Sequence, residues 1–108
     1  MATEVKLSEL ARSLFTEYCA GVICADVENS PYNSELWSEI DELTAKIRTR
    51  YTVADVKQIS TIQATRNAYK IAGKDPNRYR PSAEALMRRL INGNDLYKIS
   101  TLVDLINL

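Results

Sequence analysis

The stretch that most constrains this chain runs from Arg66 to Arg89, R-N-A-Y-K-I-A-G-K-D-P-N-R-Y-R-P-S-A-E-A-L-M-R-R. It predicts a helix, a proline-punctuated loop and a second helix. Gly73 is the stop of the first helix, because glycine accepts the left-handed conformation with which helices commonly end. Asp75, Pro76 and Asn77 suit the first three positions of a type I turn. Ser82 suits an N-cap, and Glu84 puts a carboxylate in the following first turn, where the helix dipole favours it. The pattern therefore predicts a rigid loop that displays Arg78, Tyr79 and Arg80.

The rest of the chain divides into helical stripes and one apolar run. Leu36, Ile40, Leu43, Ile47 and Tyr51 recur at helical spacing behind a cap at Asn33 or Ser34, with Trp37 widening the stripe. Thr52 opens a short helix in which Asp55 holds the capping-box position. Ile62, Ala68, Tyr69 and Ala72 face inward on a helix capped by Thr61, and Arg66 and Lys70 lie one turn apart on another face. Ser8 caps a helix to about Phe15, following a short strand over residues 4–7. Tyr18 to Val27, Y-C-A-G-V-I-C-A-D-V, is rich in small and β-branched residues and predicts a central strand covered on both faces. Leu96 to Ile99 is extended. Ser100 or Thr101 caps a last helix crowded with apolar groups, and Asp104 stands at capping-box spacing from Thr101.

Cys19 and Cys24 lie in the predicted strand, about 16 Å apart at the usual rise, beyond the reach of a disulfide. With no histidine in the sequence, two thiols do not complete a zinc site, so buried structural cysteines and no metal or cofactor are expected. No apolar run is long enough to span a membrane, and a cytoplasmic protein is the expectation. The 108 residues are one domain at most.

The formal net charge is zero, but it is unevenly spread. Residues 66–98 hold eight Lys or Arg and three acids, whereas residues 1–65 hold six bases and ten acids. A basic half points to a phosphate-rich partner or to a solvated charged face. Arg78 and Arg80 suit phosphate contacts, since a guanidinium forks onto two oxygens; the alternative use is pairing with acids that pin the loop.

The run G-K-D-P-N-R-Y-R-P-S-A-E-A-L-M-R-R, followed by Ile99 and V-D-L-I-N at Val103 to Asn107, resembles the stand-alone B3/B4 domain family. That family is related to the editing domain of the phenylalanyl-tRNA synthetase beta subunit. In the synthetase pattern W-L-x-x-R-L precedes R-P-I-N-N-V-V-D-V-T-N; here Ala85 to Leu90 read A-L-M-R-R-L and Tyr97 to Asn107 read Y-K-I-S-T-L-V-D-L-I-N. The resemblance implies an α+β chain, the helix-rich N-terminal half of a B3/B4 fold with one or two short strands. It implies residues 1–108 as a single or partial domain, completed on the final helix by a C-terminal segment or a partner chain.

The function implied is binding of tRNA or aminoacyl-tRNA and hydrolysis of a mischarged ester. The synthetase pocket uses the Thr and Asn of V-D-V-T-N, a histidine in the next loop and a glutamate further on. Only Asn107 matches, as a substrate-binding group. The Thr position is Ile106, which donates no hydrogen bond, and no catalytic residue is assigned. Lys74, Arg78, Arg80, Arg88 and Arg89 are the expected RNA-binding residues. A non-catalytic RNA- or protein-binding module is the second reading, and a small-molecule hydrolase on the same scaffold the third.

Overall fold

Local sequence sets many of the helix ends. In a computed structural model, which describes residues 4–108, six helices follow one another: α1 (Glu9–Leu14), α2 (Ser34–Arg50), α3 (Val53–Val56), α4 (Ser60–Ile71), α5 (Ser82–Ile91) and α6 (Thr101–Asn107). Ser8, Asn33 and Ser100 cap α1, α2 and α6 with side-chain oxygens that accept from otherwise unpaired first-turn amides. Asp55 Oδ2 accepts both the Thr52 amide and its hydroxyl, at 2.8 and 3.0 Å, and these bonds hold the Asp55 carboxyl below its ordinary pKa.

The C-terminal ends of α4 and α5 share one device. Gly73 and Gly93 take positive φ values of 77° and 89°. The next amides, of Lys74 and Asn94, then reach back to the carbonyls of Tyr69 and Arg89 at 2.8 and 3.1 Å. These are Schellman stops, and they turn the chain sharply out of each helix.

The core lies where α2 meets α5 and the segment after it. Leu36, Trp37, Ile40, Leu90 and Leu96 are buried together, with Ile47 and Leu86 packed on them. The stripe on α2 is thus core along most of its length, although Leu43 stays 36 % exposed. Val56 of α3 is fully buried, and α3 packs on α5. Arg48 crosses from α2 to the end of α5, where its Nε donates to the Leu90 carbonyl at 2.8 Å and its Nη2 to Asp95 at 3.2 Å. The Leu90 carbonyl also accepts from the Gly93 amide at 3.0 Å, so Arg48 adds a second donor at the end of α5.

A buried carboxylate fastens α6. Asp104, 1 % exposed, accepts from Trp37 Nε1 at 3.0 Å and from the Ile99 amide at 3.1 Å. At the same N-terminal end of α6, Asn29 Oδ1 accepts from the Leu102 amide and the Ser30 carbonyl from the Thr101 amide. The capping role expected of Asp104 is therefore replaced by a core role, and Ser100 does the capping.

The expected α+β architecture is not what forms: the described residues are helical, without a strand among them. Residues 4–7, 18–27 and 96–99 are extended or irregular but do not pair with one another. The run from Tyr18 to Val27 lies in solvent, with Ile23 94 % exposed, and Cys19 and Cys24 are exposed rather than buried. A strand is a pairing, and apolar β-branched residues alone do not supply the neighbouring edge it needs. The radius of gyration is 16.5 Å, where a compact chain of this length measures about 13 Å.

Replacing Asp104 with Ala leaves the buried Trp37 indole N–H without an acceptor and removes the partner of the Ile99 amide. The expected loss is about 2–4 kcal/mol, read from urea unfolding followed by Trp37 fluorescence. Equal stability of variant and parent shows that this carboxylate does not hold α6.

Candidate functional site

The loop between α4 and α5 folds around Glu84. Asn77 sits in the turn begun by Asp75, whose Oδ1 accepts the Asn77 amide at 2.9 Å and whose carbonyl accepts from Arg78 and Tyr79. Glu84 is 0 % exposed in the first turn of α5. Both its oxygens accept from Arg66 Nη1, each at 2.9 Å, and Arg88 Nε donates to Oε1 at 3.1 Å. Arg80 Nε stands 3.9 Å from the same oxygen. Arg66 Nη2 donates to Asn77 Oδ1 at 2.6 Å, which ties the turn into the group.

Burial by itself raises a carboxyl pKa, and for Glu84 it is the largest single influence. The hydrogen bonds and charges of Arg66 and Arg88 together outweigh it and hold Glu84 below its ordinary value. One carboxylate thus meets three guanidinium groups, from α4, the loop and α5. Positive charge is left over at this end of the molecule.

The five expected RNA-binding residues fall into three places. Lys74 and Arg78 flank the half-exposed Tyr79 ring, at 5.4 and 5.2 Å from its centroid. Arg80 and Arg88 turn toward Glu84, Arg88 with little exposure and Arg80 with its side chain 41 % exposed. Arg89 stacks on Tyr97 at 4.0 Å and donates from Nε to the Asp95 carbonyl at 2.6 Å. The internal pairing weighed for the loop arginines is real for Arg80, while Arg78 meets no acid.

Asn107 lies elsewhere. It lines a pocket of about 170 Å³ between α2, α5 and α6, with Ile40, Thr44, Leu86, Met87 and Leu108 among its walls. None of the five basic residues lines it. Ile106 is not in the wall either, and is 82 % exposed. Among the described residues no group of three or more His, Cys, Asp or Glu could hold a metal ion. No helix among them is long and apolar enough to cross a membrane.

Sequence reading missed the pairing of Arg66 with Glu84. Spacing alone puts Arg66 on a side face of α4 and explains Glu84 by the helix dipole. A partial signal is the spacing of Glu84 and Arg88, four apart on α5, where a helical turn stacks a base on the acid, with Arg80 four residues earlier in the loop. Comparison with known proteins adds nothing here, for no protein-family model, curated protein or solved structure matches the chain.

Substituting Glu84 with Gln keeps the volume but leaves buried guanidinium groups without their anion, and about 3–5 kcal/mol of stability should be lost. The pH dependence has a defined sign. A folded-state pKa below the ordinary 4.5 gives stability that is full above that pH and declines as acidification proceeds through the folded value. Melting curves between neutral and acid pH should show the parent losing this contribution and the Gln variant, already weakened, changing less. Parallel curves for the two proteins count against the knot.

Proposed function

We propose that this chain binds aminoacyl-tRNA, as its resemblance to B3/B4 domains implies. The observation that carries the reading is the charge imbalance at the loop. Glu84 is shared by three guanidinium groups, and Lys74 and Arg78 add two cations beside Tyr79. Phosphates complement such a surface, and a loop already ordered by a buried ion pair loses little entropy on meeting them. Tyr79 offers a partly exposed ring face against which a base can stack.

The pocket beside Asn107 suits the amino-acid end of such a ligand. Its walls are mainly aliphatic, and the Asn107 amide and Thr44 hydroxyl supply the polar groups. A further polypeptide segment, from the same gene or a partner chain, covers the outward face of α6 in this reading, where Leu105 and Ile106 stand in solvent. The alternative is a non-catalytic RNA- or protein-binding module. It is favoured by Ile106, which stands where the synthetase pattern has Thr and contributes no wall to the pocket.

Retention of charged and uncharged tRNA, measured between about 50 and 200 mM salt, tests the reading. The parent should lose affinity steeply with salt. Lys74→Ala with Arg78→Ala should flatten the log–log slope by roughly 1–2 with no change in melting temperature. Leu86→Trp should fill the pocket and erase any preference for charged tRNA. Affinity without such a preference in the parent selects the binding module, and no tRNA affinity at low salt overturns both RNA readings.

A further inference from the structure

One face of α4 is lined with nitrogen donors and carries no carboxylate. Gln63, Arg66, Asn67 and Lys70 follow at the i, i+3, i+4, i+7 spacing that aligns side chains along one side of a helix. Lys57, the residue that ends α3, closes the opposite wall. Together these five side chains, from two elements, line a cleft of about 330 Å³. Two amides, two ammonium groups and one guanidinium converge there.

Arg66 gives the cleft a fixed point. Its side chain is only 10 % exposed and is clamped from behind by Glu84 and Asn77. A guanidinium carries five N–H groups, and these partners engage both Nη1 and Nη2. The Nε–H, which meets no acceptor among the described residues, is held in a set orientation by the same contacts. The Lys57 and Lys70 ammonium groups are mobile point charges that can close over an anion from either side.

We propose that this cleft between α3 and α4 binds a phosphate group. It is separate from the Tyr79 loop, since Lys74, Arg78 and Arg80 line no part of it. An anion with several acceptor oxygens uses the rigid guanidinium, the Gln63 and Asn67 amides and the two lysines together, which a monovalent halide does not. The phosphate can be a diester in an RNA backbone or a free monoester. Where it is RNA, the cleft extends the tRNA surface proposed above onto a second face; where it is a monoester, the cleft stands independently of that reading.

Side-chain amide signals of Gln63 and Asn67, followed by nuclear magnetic resonance, report the cleft directly. Inorganic phosphate, compared with chloride at equal ionic strength, should shift both signals in the parent chain. The Lys57→Ala, Lys70→Ala double variant should weaken that response tenfold or more. Both lysines are exposed, so its circular dichroism should match the parent. In a second arm, a short single-stranded RNA should shift the same signals and lose roughly 1–2 from its log–log salt slope in the double variant if the source is RNA. Phosphate shifts without RNA shifts assign a monoester. No saturable shift with either probe, or a shift equal in parent and variant, overturns the proposal. RNA that perturbs only Tyr79 and its neighbours also overturns it while leaving the tRNA reading intact.

Discussion

A carboxylate taken out of water costs several kcal/mol unless charge and hydrogen bonds replace its hydration. At Glu84 that demand organises the basic half of the molecule. The acid sits at the start of α5, and its partners arrive from three directions: Arg66 from α4, Arg80 from the loop and Arg88 from one turn further along α5. Arg66 then passes the constraint on to Asn77 and hence to the turn begun at Asp75. The loop is rigid because it is wrapped around a charge, with its prolines and its Asp75 turn shaping the path.

Asp104 solves the same problem by another route. Its oxygens take an indole N–H and a backbone N–H, both neutral donors, and no guanidinium or ammonium group bonds to it. Lys98 stays outside, its ammonium 5.2 Å from the Trp37 ring centre. The two buried acids divide the structure between them. Glu84 joins α4 to α5 by charge, and Asp104 joins α2 to α6 by dipoles. Titration of Glu84 acts on the first joint, and the packing of Trp37 bears on the second.

Much of the helical layout was legible because its signals are local. Asn33, Thr52 with Asp55, Gly73, and the 36–40–47 stripe of α2 all act within a few residues of where they stand. Two local readings fail, since Ser82 opens α5 behind an N-cap at Pro81 and α4 begins at Ser60 without a Thr61 cap; the larger failures involve partners distant in sequence. Glu84 and Asp104 each occupy a first-turn position where an acid is explained by capping or the dipole, so nothing local asks for a second explanation. Only the positions of Arg66, 18 residues away, and of Trp37, 67 residues away, reveal what these acids do. The run at Tyr18–Val27 fails the other way: its composition suits a strand, but a strand is completed by an edge that composition cannot supply. Of the site, the loop cations were legible by charge. The cleft was half legible, since Arg66 and Lys70 share a face by spacing whereas Lys57 joins them only through the packing of the short helix α3.

The division of cations between structure and surface bears on function. Arg66 and Arg88 are committed to Glu84, so removing either attacks the fold before it attacks any ligand. Lys57, Lys70, Lys74 and Arg78 meet no carboxylate among the described contacts, and each lies beside an element that the knot holds still. A buried acid with more guanidinium partners than it neutralises therefore serves two ends at once. It fixes the backbone on which the outer cations stand, and it leaves the field around them positive. A ligand with several phosphates meets both conditions, a fixed spacing and an unscreened charge, whereas an isolated surface lysine offers neither.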